Sequence, residues 1–179
     1  LFPFFVITEL LSYTNFIYYV GKVFDKIMRP LFNVPGECAF AFIMGLISGY
    51  PTGGKIVASL REQGLCTKDE GDRMLAFTNN SGPLFILGTV SMMFLNNKET
   101  GFLILLIHYI TNIIIGVIFR NFNKTNERFS KVDFNLAINN MYKRNKKPFG
   151  TILKEALLNS INTLLLILGI VTFFIIITT

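Results

Sequence analysis

The sequence is poor in the residues from which catalytic and metal sites are usually built. Its 179 residues include one histidine, two cysteines and no tryptophan. Charged residues make up 16% of the chain, against about 25% in a typical soluble domain. No paired carboxylates, nucleophile–histidine set or cysteine cluster presents itself. We therefore expect neither an enzyme nor a metal or cofactor site.

Hydrophobic residues, in contrast, make up 51% of the chain, which has a mean hydropathy of +0.51. This composition favours an integral membrane protein. Three apolar stretches approach the roughly 20 residues that span a bilayer, namely 1–20, 101–119 and 161–178. Residues 22–33 mix apolar and basic residues in the pattern of a helix lying at the membrane surface.

The positive charge is concentrated in one segment. Residues 120–148 contain eight basic and two acidic residues, so they account for the whole net charge of +6. Because apolar stretches flank this segment, the positive-inside rule predicts a cytoplasmic loop. We expect it to meet the lipid bilayer and not nucleic acid. The same orientation predicts the polar turn 61–73 inside, with Lys22, Lys26, Arg29 and Lys98 outside.

These features predict an all-α, polytopic helical bundle in the membrane. Residues 1–119 would form the membrane domain and 120–148 the basic cytoplasmic loop. Residues 149–179 would form an amphipathic segment and the start of a further transmembrane helix.

Two long apolar segments, 36–63 and 68–95, are each interrupted in the middle by Gly, Pro and polar residues. The interruptions span 48–54 and 78–83. Each lies about 15 residues from the polar turn between the segments, or roughly 22 Å along a helix. If the segments run antiparallel, both interruptions reach one level inside the membrane, as broken or re-entrant helices. Thr67 and Glu70 form a T-x-x-E capping box that starts the second segment.

Unwound backbone inside a membrane survives only where protein or water surrounds it, and paired broken helices often form transporter sites. Helix N-termini attract anions, and Lys55 adds a positive charge. We therefore predict a binding site for a small anionic substrate, with free N–H groups in both breaks. Its candidate residues are Ser48, Tyr50, Pro51, Thr52, Gly53, Gly54, Lys55, Thr78, Asn79, Asn80, Ser81, Gly82 and Pro83.

Several alternatives remain open from the residues alone. The breaks can be structural kinks that permit tight helix packing, as in a membrane scaffold or partner subunit. Glu9 and His108 are candidates for proton or ion coupling, although Glu9 can equally form an ion pair and His108 can serve as a neutral hydrogen-bonding group. The stretch from Gly49 to Lys55 nearly matches a phosphate-binding loop, but Ile56 replaces the required Ser or Thr and no strand precedes it.

Several motifs also resemble a known family: LFPFF at 1–5, MRPLFNVPG at 28–36, GLISGYPTGGK at 45–55, LREQGL at 60–65 and EGDRMLAFTNNSGPLFILGTV at 70–90. They are similar to the YlbJ-like sporulation integral membrane proteins of the Gate, or nucleoside recognition, group. This group includes parts of concentrative nucleoside transporters, so nucleoside transport is a further alternative. The resemblance implies transport of dipicolinic acid across the outer forespore membrane of a spore-forming bacterium.

The same resemblance implies a second Gate copy, which would begin near residue 157. We therefore expect this chain to hold one Gate-type repeat of a longer membrane protein. A homodimer is compatible with the inverted-repeat architecture of the relatives.

Overall fold

The computed structural model describes residues 2–123 and 148–178, and every regular element in these ranges is helical. This confirms the predicted all-α class of membrane protein. Most of the predicted basic loop, residues 124–147, lies outside the described residues. By length and apolar composition, Lys98–Phe119 and Phe149–Thr178 are candidate membrane spans. In chain order, the elements are α1 (Phe2–Ser12), α2 (Phe16–Phe32), α3 (Cys38–Ser48), α4 (Thr52–Glu62), α5 (Lys68–Thr78), a π-helix (Leu84–Phe94), α6 (Lys98–Phe119) and α7 (Phe149–Thr178).

The first predicted span is two helices instead of one. Helix α1 ends at Ser12 and α2 begins at Phe16, so the prediction of a continuous span over 1–20 is wrong. The Thr14 hydroxyl donates to the Leu11 carbonyl at 2.8 Å and accepts the Phe16 N–H at 3.2 Å. Such side-chain bonds compete with the helical backbone ladder and end the helix here.

The first interrupted segment folds into a helical hairpin. Helices α3 and α4 pack along each other, and a Cβ added at Gly45 would lie 3.5 Å from the Gly53 Cα. Glycine at both positions lets the two backbones approach closely. Gly49 makes the turn with a φ of 79°, a conformation that glycine adopts readily. The hairpin therefore returns to the side from which it starts.

The second interrupted segment runs in one direction as α5 followed by the π-helix. Both parts pack against α6, which is antiparallel to them. Ser91 of the π-helix lies against Gly101 near the start of α6, and Phe77 of α5 lies against Gly116 near its end. The interruption at 79–83 therefore lies beside the middle of α6. Thus one segment is a re-entrant hairpin and the other is a discontinuous crossing helix.

An aromatic cluster joins the base of the hairpin to its neighbours. Phe32 of α2 stacks on Phe77 of α5 with ring centroids 4.6 Å apart. Phe42 of α3 packs against both rings, with centroids 5.6 Å and 5.5 Å away. Gly116 gives α6 access to the cluster, because a Cβ there would lie 2.6 Å from the Phe32 ring. This packing fixes the hairpin relative to α5 and α6.

Polar contacts show which chain segments share the end of the bundle at the base of the hairpin. Arg73 donates to the carbonyl oxygens of Asn33 and Phe122, each at 3.0 Å. Asp25, in the middle of α2, accepts the Gly36 N–H at 3.0 Å. The second half of α2 therefore lies on the same side as the polar turn and the end of α6. The sequence predicts the basic residues of α2, which are Lys22, Lys26 and Arg29, on the side of the membrane opposite to the polar turn. This prediction is wrong, because the hairpin that connects α2 to the turn makes no net crossing of the membrane.

Helix α7 combines the predicted amphipathic segment and transmembrane start in 30 continuous residues. It packs against α1. Its buried positions are spaced by one helical turn, at Ala156, Ser160 and Thr163. Only this first half of α7 is anchored to the bundle, because no described residue beyond Thr163 is buried.

Candidate functional site

The two interruptions lie against each other, as the sequence predicts. The Tyr50 N–H donates to the Asn80 carbonyl oxygen at 2.6 Å. A Cβ added at Gly49 would lie 2.5 Å from the Gly82 nitrogen. The hairpin tip thus enters the gap between α5 and the π-helix. We call this contact, between residues 48–54 and 78–83, the junction.

Backbone N–H groups at the junction are partly satisfied within the chain. Helix α4 begins at Thr52, and the Gly54 N–H donates to Asn79 Oδ1 at 3.1 Å. The Ser81 N–H donates to His108 Nε2 at 3.2 Å. The prediction of free donors is therefore wrong for Gly54 and Ser81. Side chains from the opposite break and from α6 supply the acceptors that helix N-termini need.

His108 acts as a hydrogen-bond acceptor at the junction. A backbone N–H can only donate, so Nε2 accepts from Ser81 and a neutral ring carries its proton on Nδ1. Asn112 Nδ2 lies 3.2 Å from the same nitrogen and also donates to the His108 carbonyl at 2.9 Å. The hydrogen-bonding alternative for His108 is therefore what the geometry shows, and the proton-relay role stays a prediction.

Three buried polar side chains at the junction each have an oxygen atom with no hydrogen-bond partner among the described residues. They are Ser48, Thr52 and Asn80, whose unpartnered atoms are Oγ, Oγ1 and Oδ1. None of the three residues is more than 4% exposed. An unsatisfied buried group costs about 1–3 kcal/mol, and in native proteins it calls for an explanation such as a water or an ion. The junction therefore offers unused polar atoms inside the bundle.

Other predicted side chains do not add polar groups to the junction. Tyr50 is 60% exposed, and the Thr78 hydroxyl donates back to the Met74 carbonyl at 2.8 Å. Pro83 directly precedes the π-helix with a φ of −61°. The remaining predicted positions there shape the backbone, and these are Pro51, Gly53 and Gly82.

Lys55 is directed towards α1 and α7, and it bonds to neither Asn79 nor Asn80. Its ammonium lies 2.9 Å from Glu9 Oε1 and 2.7 Å from Thr163 Oγ1. The Lys55 and Glu9 side chains are 41% and 20% exposed. The ion-pair alternative for Glu9 is therefore what the geometry shows.

A cavity of about 330 Å³ opens beside this ion pair, between α1, α4 and α7. Its volume falls within the range of small-molecule sites, about 300–1,000 Å³. Thr52 belongs to both the cavity wall and the junction. Together, the cavity and junction offer one cationic group, unpartnered polar atoms and room for a small ligand. Polar lining residues include Thr8, Glu9, Tyr13, Thr52, Lys55 and Asn159.

Sequence reasoning missed the part of the cavity that α1 and α7 supply. The missed polar residues are the lining residues Thr8, Tyr13 and Asn159, together with Thr163, which bonds to Lys55. On α7 a signal was present, because Asn159 and Thr163 lie one turn apart on a mainly apolar helix. Polar residues in such a helix usually face protein, where they bond to a neighbouring helix.

Comparisons with known proteins agree with this architecture. The sequence model of the Gate family, described as nucleoside recognition, matches residues 1–125. The curated protein "Sporulation integral membrane protein YlbJ" of Bacillus subtilis (strain 168) is 35% identical over 184 residues. The alignment covers 97% of this chain and 45% of that protein, so the chain spans less than half of its relative's length. No solved structure matches. Because the family match covers well over half of the sequence, the chain belongs to the Gate family of nucleoside recognition domains.

Proposed function

We propose that this chain is part of a membrane carrier for a small organic anion. The favoured substrate is dipicolinate, moved across the outer forespore membrane during sporulation. The sporulation protein that resembles this chain supports the biological setting. The observation that carries the proposal is Lys55, a cationic side chain on the wall of a cavity of about 330 Å³ that adjoins two interrupted helical segments.

The site suits a carboxylate ligand better than a neutral one. A lysine ammonium has three donors and no acceptor, and its hydrogen bonds to a carboxylate are charge-assisted. Thr52 adds a buried hydroxyl with no partner among the described residues. Because both residues line the same cavity, Thr52 is the group that we propose for the second carboxylate of a dicarboxylate bound at Lys55.

The junction supplies an element that can move. The hairpin tip meets the discontinuous helix through the hydrogen bonds of Tyr50 with Asn80 and of Gly54 with Asn79. Withdrawal of the tip would break these bonds and open the gap beside His108. A carrier needs such a change to expose its site alternately to the two sides.

Uptake of labelled dipicolinate by vesicles that contain the full-length protein tests the proposal. A hydrogen bond to a charged group contributes about 1.5–3 kcal/mol, so Lys55→Gln should reduce the apparent affinity by about tenfold or more. Lys68→Gln is the matched control, because Lys68 is exposed at the start of α5 and lines no part of this cavity.

Two rival functions predict different results. A nucleoside carrier is the rival that the description of the family favours. It would take up labelled nucleoside in the same vesicles, and unlabelled nucleosides but not dicarboxylates would inhibit this uptake. A scaffold would show no uptake above protein-free vesicles. Normal uptake by Lys55→Gln at wild-type protein levels would refute the proposed role of this lysine.

A further inference from the structure

The partner of Lys55 in the cavity is a second titratable group. Glu9 Oε1 lies 2.9 Å from the Lys55 ammonium, and both side chains line the cavity. A carboxylate ligand that binds to the ammonium therefore competes with a carboxylate that already occupies it. The fate of Glu9 after this exchange decides how binding depends on pH.

The charges around the cavity are few. Helix α4 contributes Lys55 and Glu62, and α1 contributes Glu9 and the neutral Tyr13. From α7, Asn159 lines the cavity, while Glu155 accepts a hydrogen bond from Tyr13 at 3.2 Å. Helices α2 and α3 also pack against α1 but contribute no lining residue.

Among the residues that the structure describes, the lining thus has one positive charge and two negative charges before any ligand binds. An added carboxylate would leave Glu9 ionised, partly buried and without its counter-charge. Burial and a nearby like charge both favour the protonated form of a carboxyl group. Protonation of Glu9 removes the repulsion at the point where the ligand binds.

We propose that the ligand carboxylate replaces Glu9 at Lys55 and that Glu9 takes up one proton in the same event. This inference rests on the proposed function and makes the carrier proton-linked. The proton comes from water as hydronium, an O–H bond forms on Glu9, and Lys55 remains an ammonium throughout. One carboxylate contact of Lys55 is exchanged for another, and the proton on Glu9 offsets the charge of the carboxylate that binds there. The second carboxylate of dipicolinate adds one negative charge to the cavity.

Proton linkage has a measurable signature in the purified full-length protein. If one proton is taken up with each dipicolinate, the apparent dissociation constant of dipicolinate rises by up to about tenfold for each unit of pH. This rise covers the pH range in which Glu9 is ionised in the free protein and protonated in the complex. We would measure dipicolinate binding from about pH 6 to 8, where ordinary carboxyl groups of a ligand stay ionised. Calorimetry in two buffers of different ionisation enthalpy would count the protons.

Glu9→Gln keeps an oxygen that can accept from Lys55 but cannot take up a proton. The expected result is dipicolinate binding that no longer depends on pH, with proton uptake reduced from about one per ligand to none. Glu99→Gln is the matched control, because Glu99 is exposed near the start of α6 and does not line the cavity. It should keep the wild-type slope and proton count. Melting of each variant without ligand would verify that it is folded.

The outcomes separate this inference from the proposed function. If wild-type protein binds dipicolinate and Lys55→Gln does not, yet the wild-type affinity is independent of pH, proton exchange at Glu9 is refuted and the anion site stands. A slope that persists in Glu9→Gln, or disappears in Glu99→Gln, also refutes the assignment to Glu9. Failure of the folded wild-type protein to bind dipicolinate overturns both proposals.

Discussion

Replacement of Gly53 by alanine would test whether the hairpin must pack directly on the end of α5. A Cβ at Gly53 would overlap the Thr78 carbonyl oxygen and lie 2.8 Å from its carbonyl carbon. These are backbone atoms, so they cannot rotate away as a flexible side chain would. The hairpin would have to shift away from the second break.

The magnitude follows from two opposing terms. Overpacking costs typically about 1–3 kcal/mol, and a rigid backbone contact belongs near the upper limit. Alanine gains about 1 kcal/mol over glycine within a helix. We therefore expect a net loss of roughly 2 kcal/mol for Gly53→Ala. For a chain of this size, that lowers the melting midpoint by about 4–8 °C.

The two cysteines provide the assay. Cys38 and Cys66 are 0% and 4% exposed, so a thiol-reactive fluorophore reports unfolding when it labels them during heating. Gly88→Ala is the matched control, because its Cβ would have no neighbour within 4 Å. The control should melt at or slightly above the wild-type temperature at the same heating rate. Equal midpoints for Gly53→Ala and Gly88→Ala would refute the tight packing on Thr78.

Two further predictions use the same melting assay. His108→Ala leaves the Ser81 N–H without its acceptor and should lower the stability by about 1–3 kcal/mol. His108→Gln retains an acceptor and should recover part of this stability. An equal loss of stability in both variants would contradict the hydrogen-bonding role. Burial raises the pKa of Glu37, between α2 and α3, and nearby Asp25 raises it further. A raised pKa of a carboxyl group in the folded state means that stability falls as the pH rises through this pKa. Glu37→Gln should therefore melt at a higher temperature than wild type at pH 7, and this difference should disappear below about pH 4. A difference that is independent of pH would refute the electrostatic cause.

The sequence was sufficient to locate the two breaks and the helix start between them. Both are set by local chemistry, since clusters of Gly, Pro and short polar residues disfavour the interior of a helix. The Thr67 capping box is likewise local. Both of its bonds are present, with Thr67 Oγ1 accepting the Glu70 N–H at 3.1 Å and Glu70 Oε2 accepting the Thr67 N–H at 2.7 Å.

The sequence did not decide which segment turns back and which continues. Each segment has 11 residues of helix on each side of its break, so the two segments cannot be told apart by length. Their helix contacts differ: α3 and α4 pack on each other through Gly45 and Gly53, whereas α5 and the π-helix pack on α6. The partners of Lys55 were also beyond local reasoning, because Glu9 and Thr163 are 46 and 108 residues away along the chain.

The arrangement of polar groups suits a carrier that must also be stable when empty. Unpaired backbone groups inside a membrane cost several kcal/mol each, and the chain itself supplies acceptors for the Gly54 and Ser81 N–H groups. The positive charge of the Lys55 ammonium also has an internal partner, because Glu9 neutralises it while no ligand is bound. A ligand carboxylate then has to replace an internal partner, and this requirement keeps binding reversible. On this argument, Glu9→Gln should bind dipicolinate more tightly than wild type at pH 8 and release it more slowly. Its rate of transport in vesicles should therefore fall although its affinity rises. Faster turnover together with weaker binding in this variant would contradict the exchange of carboxylates at Lys55.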